Sequence, residues 1–155
     1  MGYTHYWYRK SDANSANQYA ELRMDTSRII TTAIQQGIVM RGPFGTGQPE
    51  FSEERFAFNG DSNEDLYHET FAWRREVRMR EHEMEDGEAF DFCKTAYKPY
   101  DAVVTAVLIR AKEIYGNGVR LVSDGEWEDW EPGRSLYELT FGRPPRYSMD
   151  SELEV

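Results

Sequence analysis

Apolar positions along the chain change period several times, and each change marks an element. Val103, Val104, Val107, Leu108, Ala111, Ile114 and Tyr115 recur at three-to-four spacing, the stripe of an amphipathic helix. Asp101 suits its N-terminal dipole and Gly116-Asn117-Gly118 ends it. Tyr19, Leu22, Ile29, Ile30, Ala33 and Ile34 trace an earlier helical face that stops at Gly37 and starts somewhere after the polar stretch Ser11 to Asn17. A third helix is predicted from Pro132, at its first position, through Leu136, Tyr137, Leu139 and Phe141 to Gly142.

Between these helices the period shortens to two. Gly2 to Tyr8 is dense in aromatics and reads as the first strand. Ile38 to Met40 predicts a short strand, and Gly42 to Pro49 a loop. Glu54 to Phe58 alternates and stops at the turn signal Asn59-Gly60-Asp61. Tyr67 to Val77 predicts the next strand, with Tyr67, Glu69, Phe71 and Trp73 on one face. Arg78 to Glu88 reads as a charged, solvated hairpin tip, followed by strands over Ala89 to Cys93 and Val119 to Ser123. Without strict βαβ alternation, this order predicts an α+β fold, a mainly antiparallel sheet with about three helices packed on one face. Residues 1–142 form one domain in this reading, and the Pro-containing acidic segment 143–155 a flexible tail.

Composition narrows the functional classes. A length of 155 residues suits one domain. No run of eighteen apolar residues occurs, and Met1 to Lys10 has no basic region leading into an apolar stretch. Neither a membrane span nor a signal peptide is therefore expected, and the expected location is cytoplasmic. A formal charge of −10 disfavours direct binding to nucleic acid or anionic membrane and allows attraction to a basic partner protein. Cys93, the lone cysteine, excludes an internal disulfide and any multi-cysteine zinc site.

The segment Phe90 to Asp101 holds the densest candidate chemistry. Lys94, Thr95, Tyr97, Lys98, Tyr100 and Asp101 stand just ahead of the best-defined helix, where free amides attract anions and lysines reinforce them. Lys94, Thr95, Lys98 and the amides near Asp101 would hold phosphate, with Tyr97 or Tyr100 against a base. The competing reading has Asp101 filling the anion position itself and the lysines pairing with carboxylates. Cys93 with His5, His68 or His82 would form a thiol and base only if the fold joined them; as a strand residue beside Phe92 it reads as a buried small side chain. The histidines with Glu69 or Asp91 lack metal-ligand spacing, and Gly42, Gly45 and Gly47 lack the Lys-Ser or Lys-Thr of a phosphate loop. Asp124, Glu126, Asp129 and Glu131, interleaved with Trp127 and Trp130, offer an acid and base pair or a solvated loop. The aromatics Tyr3, Tyr6, Trp7, Tyr8, Phe71 and Trp73 read as core with room for a partner surface.

Five segments together carry a resemblance: Met1-Gly2-Tyr3-Thr4-His5-Tyr6-Trp7; Phe58-Asn59-Gly60; His68-Glu69-Thr70-Phe71; Phe92-Cys93-Lys94-Thr95 with Lys98-Pro99-Tyr100-Asp101; and Ser123-Asp124-Gly125. In these the chain resembles a family of small uncharacterised proteins of bacteriophages and bacterial genomes. The resemblance implies no activity and carries over no catalytic residue. It implies a context, in which a phage accessory protein blocks a host protein or sequesters a small host immune signal.

The expected function is a non-catalytic binding module for a phosphate-containing, nucleotide-like small molecule, with no cofactor and no metal. The alternative is an acidic, DNA-mimic-like inhibitor that docks on a host protein through carboxylates such as Glu81, Glu83, Glu85 and Asp86. A small hydrolase ranks third. Exposed aromatic strands make a homodimer a further expectation.

Overall fold

The helix with the strongest apolar pattern becomes the centre of the molecule. The computed structural model describes residues 2–10, 16–77, 84–85 and 87–149. In it α2, Asp101–Tyr115, is buried on more than the one predicted stripe, because α1 (Ala16–Gln35), α3 (Glu131–Phe141) and a strand all pack against it. Val103, Val104, Ala106, Val107, Leu108 and Ala111 have no solvent exposure.

The strands are β1 (Thr4–Lys10), β2 (Glu50–Phe51), β3 (Arg55–Phe58), β4 (Phe71–Arg74), β5 (Met84–Glu85), β6 (Glu88–Lys94) and β7 (Val119–Ser123). All pair antiparallel, so the expected α+β fold with three helices stands, but the strands divide into two sheets, β5-β6-β1-β7 and β2-β3-β4. Alternation along β1 turns His5, Trp7 and Arg9 inward and Tyr6 and Tyr8 outward. The small sheet then closes on Trp7, whose ring lies 5.1 Å from Phe71 and 6.0 Å from Trp73, while Tyr19 of α1 reaches Phe56 at 6.0 Å. Each such ring removed from water contributes roughly 2–3 kcal/mol of hydrophobic stabilisation.

Several local expectations change. Ile38 to Met40 forms no strand: the Ile38 amide closes the end of α1 on Ala33 O, and pairing begins with a single bridge between Arg41 and Asn59. The strand expected over Tyr67 to Val77 shortens to Phe71–Arg74, because the backbone ahead of it is committed elsewhere. The Asn59 side chain bonds both the amide and the carbonyl of His68, and the Glu69 amide donates to Lys94 O. Asn59-Gly60-Asp61 therefore opens a stapled loop rather than a tight hairpin. Residues 78–83 and 86 of the expected hairpin tip lie outside the described residues. So do residues 150–155, the last six of the expected tail 143–155.

Met149 is buried and joins the core cluster, and the chain after α3 is tied to Glu113 of α2. Glu113 accepts hydrogen bonds from Arg143 Nη2 at 3.2 Å, from the Arg146 amide at 2.9 Å, from Arg110 Nη1 at 3.0 Å and from the Tyr137 hydroxyl. Burial pushes the Glu113 carboxyl up, but these donors outweigh it and hold the group below the usual carboxylate range. A depressed folded-state pKa gives stability that is present above the unfolded value and lost as pH falls through the folded value. Glu113→Gln is expected to destabilise by on the order of 2 kcal/mol at neutral pH, from the weakened bonds to a charged acceptor. Urea unfolding at a series of pH values should show the gap to wild type closing toward acid; a gap constant with pH would contradict this role.

Candidate functional site

A polar residue on the inward face of an apolar strand must find partners, and His5 finds two. In register it lies between Cys93 of β6 and Ser123 of β7, and it has no solvent exposure. Its Nδ1 lies 2.8 Å from Ser123 Oγ and its Nε2 2.6 Å from Asp101 Oδ1, at the first residue of α2. Thr95 donates to the same carboxylate oxygen at 2.5 Å. Tyr3 and Trp130 pack edge-on against the imidazole at 4.9 Å and 5.1 Å.

Donor counting fixes the direction of these bonds. Ser123 Oγ accepts from the Gly125 amide at 3.0 Å and from Trp130 Nε1 at 3.2 Å, which uses both lone pairs. Its one proton is left for His5 Nδ1, so the imidazole carries its own proton on Nε2 and donates it to Asp101. Serine, histidine and aspartate thus form a chain, but a nucleophile needs a free lone pair and room for a substrate. Here both lone pairs are engaged, so the arrangement acts as a polar clamp joining β1, β7 and α2. Gly125 is required beside it, since a Cβ there would sit 2.3 Å from Tyr3 Oη. That hydroxyl is buried without a hydrogen-bond partner, and burial, then the charge of Asp101, pushes the phenol well above the ordinary tyrosine range.

The six residues expected to bind phosphate and base separate into two groups. Thr95, Tyr100 and Asp101 are structural. Tyr100 has no solvent exposure and its hydroxyl donates to Glu69 O at 2.5 Å, which removes it as a stacking surface. Asp101 faces His5 and Thr95. The amides of the first helical turn are also taken: Asp101 N bonds Lys98 O, Ala102 N bonds Pro99 O, and Val103 N and Val104 N bond Tyr100 O. The expected anion position at the start of α2 is therefore filled by backbone carbonyls, and not by the Asp101 side chain that the competing reading put there.

Lys94, Tyr97 and Lys98 reach the surface. Lys94 lies along Gly2 while its amide donates to Glu69 Oε1 at 2.8 Å. Lys98 Nζ donates to Asp65 O at 2.9 Å, with the Asp65 carboxylate 3.8 Å away, so the two ammonium groups rest on different partners. Tyr97 is 66 % exposed and stacks on Tyr3 with ring centroids 3.7 Å apart. Ala96 and Tyr97 both adopt left-handed backbone, φ 53° and 61°, which costs a non-glycine residue about 1 kcal/mol or more each. Thr95 N and Ala96 N both bond Tyr3 O, and these bonds together with the ring stack hold the strained turn. Beside it, an open groove of about 580 Å³ runs between Asp65, Tyr67, His68 and Glu69 on one wall and Ala96 and Lys98 on the other.

The remaining candidates resolve into structure. Cys93 is buried, its thiol donates to Glu69 O at 3.5 Å, and burial first, then Glu69, pushes its pKa far up, so no reactive thiolate forms with His5. His68 is exposed at the groove, and His82 lies outside the described residues. Glu126 and Asp129 make a reciprocal capping box, Glu131 accepts from Ser135, and Asp124 accepts from Thr4 N at 3.0 Å and Tyr6 Oη at 3.3 Å. No acid and base pair is left facing a cleft there. Gly42 N bonds Thr46 O and Gly47 O, closing the glycine loop on itself. Among the described residues no cluster of three or more His, Cys, Asp or Glu is placed to hold a metal, and no helix is long and apolar enough to cross a membrane.

No family model, curated protein or solved structure matches the chain. Residues of the five segments singled out in the sequence meet in space. Tyr3 and His5 touch Tyr97, Asp101 and Ser123; Glu69 bonds Lys94 and Tyr100; and Asn59 holds His68. Ser123 and Trp130 were not among the expected site residues. The one signal for them is the inward-facing His5, since an unpaired buried imidazole is costly and implies donors and acceptors from other strands.

Proposed function

We propose that the protein is a non-catalytic binding module for a phosphate-bearing, nucleotide-like small molecule, taken into the groove between residues 65–69 and the 96–98 turn. Tyr97 carries this reading: a strained turn holds its ring in solvent, backed by Tyr3, and its chain neighbours Ala96 and Lys98 line the groove together with His68. Strain maintained by surrounding structure is a mark of functional sites, and an exposed supported ring is a stacking platform for a base. Lys98 and His68 meet the phosphate, Lys94 adds positive charge from the adjoining strand end, and no bond is broken. In the context implied by the family resemblance, such a module sequesters a host signalling nucleotide.

The test is titration calorimetry with mono-, di- and cyclic nucleotides, nicotinamide derivatives and inorganic phosphate, supported by thermal shift, because a ligand of the folded state raises stability. Lys94→Glu with Lys98→Glu should weaken binding by about a hundredfold, from the loss of two charge-assisted contacts, while leaving the melting temperature of the free protein nearly unchanged. Affinity unchanged in that variant, or no binding by any of these compounds, would remove the assignment.

A further inference from the structure

The face of the large sheet turned away from the helices is apolar where a soluble surface is ordinarily polar. Alternation places Tyr6 and Tyr8 of β1, Phe90 and Phe92 of β6 and Val122 of β7 on it, in adjacent register: Tyr6 opposite Phe92 and Val122, Tyr8 opposite Phe90. Phe90 is 38 % exposed, Phe92 47 % and Val122 39 %. The rings form one contiguous cluster with Phe90 at its centre, 5.9 Å from Tyr6, 5.2 Å from Tyr8 and 5.8 Å from Phe92. An exposed, contiguous aromatic patch marks an interaction surface.

Charge indicates the partner. Among the described residues, the charged positions that register places at the margins of this face are Lys10, Lys94 and Arg120 against Glu85, Glu88 and Asp124, three of each sign, in a chain whose formal charge is −10. Two copies approaching through acidic parts of their surfaces repel one another, whereas this face meets itself without opposing like charge. An aromatic ladder is also self-complementary, as a two-fold interface requires.

We infer that this face is the interface of a symmetric homodimer, in which the two sheets pack face to face through their aromatic ladders. Strands spaced by about 4.8 Å and rising about 3.4 Å per residue give β1, β6 and β7 a face of roughly 14 by 17 Å. That is the core of an interface smaller than the standard of about 800 Å² per partner, so the dimer dissociates in the micromolar range. Phe90, central and ringed by the other aromatics, is the anchor.

Sedimentation velocity over a concentration series up to roughly 500 μM, which spans a micromolar equilibrium, is the test. Wild type should pass from monomer to dimer. Phe90→Glu should weaken dimerisation at least tenfold, as loss of a central anchor does. Val122→Glu, which replaces a smaller exposed side chain, gives a second variant should Phe90→Glu lose its helical circular dichroism. A wild-type protein that stays monomeric throughout overturns the inference and leaves the face to a different partner. A dimer of unchanged affinity in either folded variant overturns it equally.

Discussion

His5→Ala is expected to lower stability by about 3 kcal/mol, measured as the shift in the urea unfolding midpoint at constant slope. The substitution removes the acceptor of the Ser123 proton and the donor to Asp101, and opens a void between Tyr3 and Trp130. Asp101 keeps only the Thr95 donor and the Ser123 proton loses its acceptor, and leaving such half-buried groups short of a partner is what makes the truncation costly, more than the net worth of the bonds themselves. Asp101→Asn should be milder, because the amide oxygen still accepts from the imidazole at the same place. A loss below about 1 kcal/mol for His5→Ala would mean that the clamp does not hold β1, β7 and α2 together.

Gly133→Ala is expected to destabilise by about 3 kcal/mol, at the upper end of what overpacking produces. Gly133 lies in the first turn of α3 where that helix crosses α2, and a Cβ there would fall 1.8 Å from Thr105 Oγ1 and 3.0 Å from Ala102 O. Part of the clash is with a side chain and part with backbone, so a second change should relieve the first part alone. In Gly133→Ala with Thr105→Ala, more than about 1 kcal/mol of coupling should be recovered in a double-mutant cycle. Strict additivity would show that α3 shifts bodily rather than pressing on Thr105.

Helix α2 and strand β7 were legible to the residue because both are bounded by glycine or turn residues and both keep one period throughout. The end of α3 was legible for the same reason, Gly142 taking the left-handed position that closes a helix. The division into two sheets was not, since nothing in the alternation of β3 or β4 states which strand is a neighbour, and β2 is only two residues long. The site was half legible. Local sequence placed Lys94 to Asp101 together, but whether Tyr100 points outward or inward depends on Glu69, 31 positions away. The partners of His5 lie 96 and 118 positions along the chain, beyond any spacing rule. Burial of Met149 has no signal in the sequence, because a lone methionine among polar residues shows no period.

Cys93 gives the molecule a built-in reporter. Its thiol has no solvent exposure, on a stretch of β6 paired with His5 of β1 on one side and tied to Glu69 on the other. A thiol-specific reagent therefore reaches it only after the sheet has opened, and, with a single cysteine in the chain, modification reports that opening alone. At reagent concentrations where reclosing outpaces reaction, the labelling rate measures the free energy of that opening under native conditions, without denaturant.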